Sequence, residues 1–185
     1  MSKVAVVVGS VHRNSLNRKL AVALARLAAP KLDLQIVEIG DLPYYDAELE
    51  ASLPASVAQF RAAIAAADAV LVVTPEYNRS IPGVLKNAID WGSRPYGKGV
   101  WIGKPAATIG ATPGATGTAA AQQHLRYLMG VVDTALMGQP EAYITVKPDS
   151  FDADGDFAHE SMRDFLAMFV DRFAAWIRRT ALVAA

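Results

Sequence analysis

At 185 residues the chain is long enough for one domain, residues 1–185, with a full core. It is 52% hydrophobic and 19% charged, and its 18 basic and 18 acidic residues cancel, so nothing in the balance calls for nucleic acid or an anionic membrane surface. With no cysteine there are no disulfides, thiolate nucleophiles, Fe–S clusters or cysteine-based zinc sites, and the three histidines have neither HxxxH nor HxH spacing for a metal.

The chain starts directly on a predicted strand, KVAVVVG (3–9). That run is too short for a signal-peptide core and lacks a cleavage region, and no window of 18 or more apolar residues is free of charge. A cytoplasmic protein with no membrane span is expected. A helix is predicted over 15–29, capped by Asn14 or Ser15 and stopped by Pro30. LDLQIVEI (32–39) predicts a strand, 40–55 a loop with two prolines, and 56–67 a helix. AVLVVT (69–74) predicts a strand and PEYNRSI (75–81) a loop. PGVLKNAIDW (82–91) predicts a helix with Pro82 in its first turn, where the missing N–H costs nothing. A loop (93–104) leads to a strand (105–111), a turn-forming loop TPGATG (112–117) and a helix (118–132). Residues 134–146 hold an interrupted strand, and the last helix covers about 158–181. Between them, DADGD has part of the aspartate spacing of a calcium loop but lacks the terminal Glu in register, so it reads as a solvated linker.

Five strands alternating with five helices imply an α/β fold, a five-stranded parallel sheet covered by helices on both faces. Runs such as VAVVV and VLVV are apolar at successive positions, as strands buried on both faces require. In an open sheet of this kind, ligands bind beyond the carboxyl ends of the strands. In the order 2-1-3-4-5, the loops after strands one, three and four converge on one cleft.

The first of these loops holds Ser10, His12, Arg13, Asn14, Ser15 and Asn17 and ends at a helix N-terminus, which carries partial positive charge and unpaired N–H groups. Hydroxyl, amide and guanidinium donors there suit a phosphate monoester. Neither GxxxxGK[ST] nor GxGxxG follows the first strand, so a mononucleotide held end-on is indicated. The second loop, PEYN, adds an aromatic ring and backbone donors. The third, ATPGATG, adds proline and small residues that allow close backbone approach. A phosphate site at one end and a slot for a flat heterocycle at the other describe FMN. Taken singly, each loop is also an ordinary cap or turn; their joint placement carries the reading. Trp91 and His124 lie within helices and read as core or interface residues, and His159 as a solvated residue near a helix start.

The stretches GSVHRNSLNRKLA, VVTPEYNRSIPGVLKNAIDW and ATPGATG resemble the NAD(P)H-dependent FMN reductase family, flavodoxin-like enzymes that reduce quinones, chromate and azo compounds. The resemblance covers residues 3 to 146. It implies a flavodoxin-like three-layer sandwich. It implies that the first loop binds the FMN phosphate through Ser10, Ser15, the backbone of Leu16, and Asn17. The flavin ring would meet Pro75, Glu76, Tyr77 and Asn78 on one side and Thr112, Pro113, Gly114 and Gly117 on the other. The family's GSxR arginine is replaced here by His12, with Arg13 displaced by one position, so either supplies the phosphate cation. LPYYD (42–46) resembles the family's LPxYD segment near the cofactor mouth. The resemblance further implies ping-pong hydride transfer from NAD(P)H through FMN to quinones and similar acceptors (chromate, azo compounds, free flavin), in a homodimer or homotetramer. Neither the family nor the residues require a side-chain nucleophile. A flavodoxin-type electron carrier and a non-catalytic FMN- or phosphate-binding module are the alternatives; zero net charge disfavours the carrier, since such carriers are strongly acidic.

Overall fold

A computed structural model describes residues 1–184. Strand β1 (Ser2–Val8) is followed by α1 (Leu16–Ala28), β2 (Leu32–Val37), α2 (Ala55–Ala66), β3 (Ala69–Val73), α3 (Gly83–Ser93), β4 (Pro105–Thr112), α4 (Ala119–Val131), β5 (Ala135–Leu136), β6 (Ala142–Thr145) and α5 (Glu160–Ala184). The sheet order is β2-β1-β3-β4-β5, with β6 also on β4, and every strand pair is parallel.

The interrupted strand is explained by its register. Ala135 and Leu136 pair with Pro105 and Ala106, whereas 142–145 pair with Ile109 through Thr112. Two short pieces thus share the outer edge of β4, broken by the turn-forming Gly138 and Pro140. The stretch 40–55 differs from a plain loop: it contains a 3₁₀ helix at Ala47–Ala51, started by the Asp46 side chain accepting from the Glu48 N–H at 2.9 Å.

The central strands are apolar on both faces because both faces are covered. Val4, Val6, Val8, Leu71, Val73 and Ile109 pack with Leu20 and Leu24 of α1 and with Phe169 and Phe173 of α5. Ala5, Val7, Val70 and Val72 face the other way, onto Phe60 and Ile64 of α2, Leu85 and Ile89 of α3, and Leu125 and Met129 of α4. The period-two alternation of a pleated strand therefore sorts one hydrophobic run into two cores. Trp91 is fully buried, as its helical position implies. His124 is not: it lies exposed on α4, with its Nδ1 2.7 Å from the Ser80 hydroxyl. His159, at the start of α5, is half-exposed beside Asp149. In the linker, Asp152 accepts from the N–H groups of Asp154 and Asp156, forming a compact turn. Among the described residues, no helix is long and apolar enough to cross a membrane.

Candidate functional site

All three suspect loops leave carboxyl ends of adjacent strands, and hydrogen bonds lock those ends together. The Gly9 N–H donates to Val73 O at 2.8 Å, and the Thr74 N–H donates to Ile109 O at 2.9 Å. Pro75 is buried against Gly9: a Cβ built on Gly9 would lie 3.4 Å from the proline ring. The first loop therefore abuts the second.

The first loop ends at the N-terminus of α1. Ser15 is the N-cap, its hydroxyl accepting from the Arg18 N–H at 3.1 Å, and its own N–H donates to His12 O at 3.1 Å. The backbone N–H groups of Leu16 and Asn17 belong to the first turn and have no helical carbonyl to meet. Ser10 and Ser15 are both buried, while His12, Arg13 and Asn14 are exposed. None of the hydrogen bonds that fasten the neighbouring residues engages the Ser10 hydroxyl. The His12 ring accepts from the Asn14 N–H through Nδ1 at 3.1 Å. A ring nitrogen that accepts carries no proton, so in the neutral ring the proton sits on Nε2. Arg18 is already committed, with Nη1 3.1 Å from Glu38 Oε2 and Nη2 on the other carboxylate oxygen. That hydrogen bond holds the Glu38 carboxyl below the usual carboxylate range, and burial only partly opposes it.

Asn17 reaches this site with its backbone alone. Its side-chain amide is spent on β4, donating to Ala111 O and accepting from the Ala111 N–H, each at 2.9 Å. Asn17 therefore clamps the first loop to the strand that feeds the third.

The second loop is a tight turn. Tyr77 and Ser80 exchange two backbone hydrogen bonds of 2.9 Å, and Asn78 and Arg79 between them have φ of 51° and 64°. This is the mirror-image turn that requires left-handed backbone at both central positions. Tyr77 and Asn78 are exposed at the rim. Glu76 turns its carboxylate inward and, through Oε2, accepts from the Ala121 N–H at 3.1 Å, in the first turn of α4. That helix has no side-chain cap of its own, since its N-cap residue Thr118 is left-handed and makes no such bond. Burial pushes the Glu76 pKa up, but the N–H groups of Ala121 and Ala120 and the Arg79 guanidinium outweigh it and leave the carboxyl below its ordinary value. Glu76 is therefore an ionised helix cap, and its side chain closes the second loop onto the third.

The third loop is shaped by close approach. Gly117 has φ of 57°, and a Cβ there would lie 2.6 Å from the Tyr143 carbonyl carbon, so only glycine fits. Pro113 and Gly114 are exposed and Thr112 is half-buried, its hydroxyl accepting from the Gly114 N–H at 3.2 Å.

The structure thus brings Ser10, His12, Arg13, Ser15, Leu16 and Asn17 to one carboxyl end, Pro75–Asn78 to the next, and Thr112–Gly117 to the third. The donor set of the first loop fits a phosphate monoester: two buried hydroxyls, two free first-turn N–H groups and exposed cationic or neutral N–H donors. The small-residue third loop and the rim tyrosine fit a flat ring beside it.

Pattern reading missed the braces behind the site. Asn87 groups by sequence with the polar Lys86 and Asp90, yet it is buried. It accepts from the Tyr45 N–H at 2.8 Å and donates to Pro43 O at 2.9 Å, and Trp91 Nε1 donates to the same carbonyl at 2.7 Å. These bonds fix the LPYYD segment against α3. The available signal was an amide in an otherwise apolar helix. A groove of about 420 Å³ between β2 and α2, floored by Ala5, Phe60 and Ala63, lies away from the three loops and adds nothing to them.

Comparison with known proteins gives the family of the chain. The family model described as NADPH-dependent FMN reductase matches residues 2–149. A 2-hydroxy-1,4-benzoquinone reductase from Burkholderia sp is 51% identical over 176 residues, 95% of this chain and 96% of the relative. A quinone reductase from Pseudomonas putida is 50% identical over 176 residues, 95% of this chain and 94% of the relative. Among solved structures, FerB from Paracoccus denitrificans, described as a flavoenzyme NAD(P)H:(acceptor) oxidoreductase, matches with TM-score 0.94 and 47% identity over 97% of this chain and 99% of its own.

Proposed function

The chain belongs to the NADPH-dependent FMN reductase family, and from that premise we propose that it is an NAD(P)H-dependent quinone reductase that works through bound FMN. One observation carries the site assignment: a phosphate-suited nest at the start of α1 lies at the carboxyl end of β1, beside two further loops that can flank a planar ring. When bound, FMN supplies the hydride chemistry.

The chain's own residues bind and orient. The Leu16 and Asn17 N–H groups, with the Ser10 and Ser15 hydroxyls, receive the phosphate, assisted by His12 Nε2 or Arg13. Peptide groups of 75–78 and 112–117 read the edge of the ring. Glu76, ionised and held by backbone N–H groups, sets the separation of those loops and is not a proton donor at neutral pH. Chromate, azo compounds and free flavin belong to the same acceptor class in this reading.

The reading includes a single domain and a homodimer or homotetramer, supported by exposed Tyr96, Ile102, Tyr127 and Val131, three of which line one groove. Dependence on NAD(P)H goes with a cytoplasmic location. The decisive experiment is the visible spectrum of the purified protein with FMN under anaerobic conditions. Flavin absorbance should bleach on adding NADPH or NADH and return on adding 1,4-benzoquinone. A colourless protein that takes up no added FMN overturns the assignment, and one that binds FMN but is not bleached is an electron carrier instead.

A further inference from the structure

The second loop contains a residue that binding the flavin does not explain. Arg79 sits at the tip of the Tyr77–Ser80 turn with φ of 64°, a region disfavoured for a long side chain and far better suited to Asn or Gly. Strain of that kind persists where the surroundings over-determine it, and here they do. The flanking Ser80 is bonded to His124 on α4, and Glu76 is bonded to the first turn of the same helix.

The Arg79 guanidinium donates from Nη1 to Glu76 Oε1 at 2.7 Å. The two side chains are unlike in exposure: Glu76 is 7% exposed and Arg79 72%. The α4 backbone fixes the Glu76 carboxylate through Oε2 and leaves Oε1 to Arg79, so a fixed carboxylate aims a guanidinium. One of five N–H donors is used, and the remaining fork is turned to solvent on the rim of the proposed ring slot.

We propose that Arg79, aimed by Glu76, recognises the phosphate groups of the pyridine-nucleotide hydride donor. This rests on the reductase reading, because it supposes that the donor approaches the ring bound between the second and third loops. The chemistry is specific. A dinucleotide donor carries a pyrophosphate and, in NADPH, an added 2′-phosphate, and a planar fork held at one corner can still offer two parallel N–H groups to such an anion. His12 and Arg13, also exposed near the mouth, lie on the loop assigned to the FMN phosphate. Arg79 is 72% exposed but Glu76 only 7%, so removing the guanidinium costs some stability through Glu76, which a thermal melt reads separately from the loss in substrate binding.

The test compares Arg79→Asn, which suits the left-handed backbone, with Arg79→Lys in the FMN-loaded enzyme. Three donors are used: NADPH, NADH and 1-benzyl-1,4-dihydronicotinamide, which has the reacting ring but no phosphate. Arg79→Asn should raise KM for NADPH about 10-fold, as expected for one hydrogen bond to a charged group. The fall in kcat should be smaller than the rise in KM, and KM for the benzyl donor should change several-fold less. Arg79→Lys should recover part of the NADPH KM. Calorimetric titration of NADP⁺ should show the same loss of affinity without turnover. Equal KM changes for all three donors, or no change for any, overturn the proposal. If the wild type oxidises none of the donors, it is the reductase reading that falls. NADP⁺ titration then decides on Arg79 alone, and equal affinity of wild type and Arg79→Asn rejects it.

Discussion

The Asn17 side chain and the Ala111 peptide form a two-bond clamp, with Nδ2 donating to Ala111 O and Oδ1 accepting from the Ala111 N–H, each at 2.9 Å. The clamp ties α1 to the carboxyl end of β4 and so joins the first loop to the third. Replacing Asn17 with Ala leaves a buried donor and a buried acceptor without partners. Stability should fall by about 2–3 kcal/mol, read as a lower urea midpoint with an unchanged slope. Asn17→Asp should also weaken FMN, since it loses the donor and sets a carboxylate beside a phosphate.

Ser15 has two duties that can be separated. As the N-cap of α1 it satisfies the Arg18 N–H, and loss of a cap costs about 1 kcal/mol. As the proposed phosphate ligand it would donate to a charged group. Ser15→Ala should therefore lower the melting temperature of the apoprotein modestly and weaken FMN roughly 10- to 100-fold by fluorescence titration. A modest loss of stability with an unchanged FMN dissociation constant places the phosphate elsewhere.

Glu76 and Glu38 both ionise below the ordinary carboxylate range: Glu76 because its α4 and Arg79 donors outweigh burial, and Glu38 through Arg18. A carboxyl whose pKa falls on folding binds fewer protons in the native state than in the unfolded one. Its contribution is complete above the unfolded value and is lost as pH drops through the folded value. Unfolding free energy should thus decline below about pH 5, and Glu76→Gln should decline less steeply there than wild type. High salt should weaken the exposed Arg18–Glu38 share and spare that of Glu76, whose principal donors are backbone N–H groups. Identical acid limbs for wild type and Glu76→Gln contradict this.

Two glycines give opposite expectations for the same substitution. A Cβ at Gly110 would lie 2.2 Å from both Thr74 O and the Thr118 hydroxyl, whereas one at Gly83 meets nothing within 4 Å. Gly110→Ala should destabilise by at least about 2 kcal/mol and disturb the entry to the third loop. Gly83→Ala, at the start of α3, should be neutral or stabilising by about 0.5 kcal/mol. Paired thermal melts read both.

Much of this protein is legible in its sequence because the relevant physics is local. Valine-rich runs mark strands buried on both faces, Ser15 marks the start of α1, and strand–helix alternation sets the parallel sheet. The nest at 10–17 could be recognised because hydroxyls, amides and a helix start lie within one loop. What only the tertiary structure decided is which of those side chains remain free to bind. Asn17 spends its amide on a residue 94 positions away, Glu76 its carboxylate 45 positions away, and Asn87 bonds a loop 42 positions back. A hydrogen-bond partner at that distance has no signature in spacing or periodicity. It is chosen by which strand ends and helix starts the fold sets side by side, and that choice makes the Asn17 and Glu76 side chains braces between the loops.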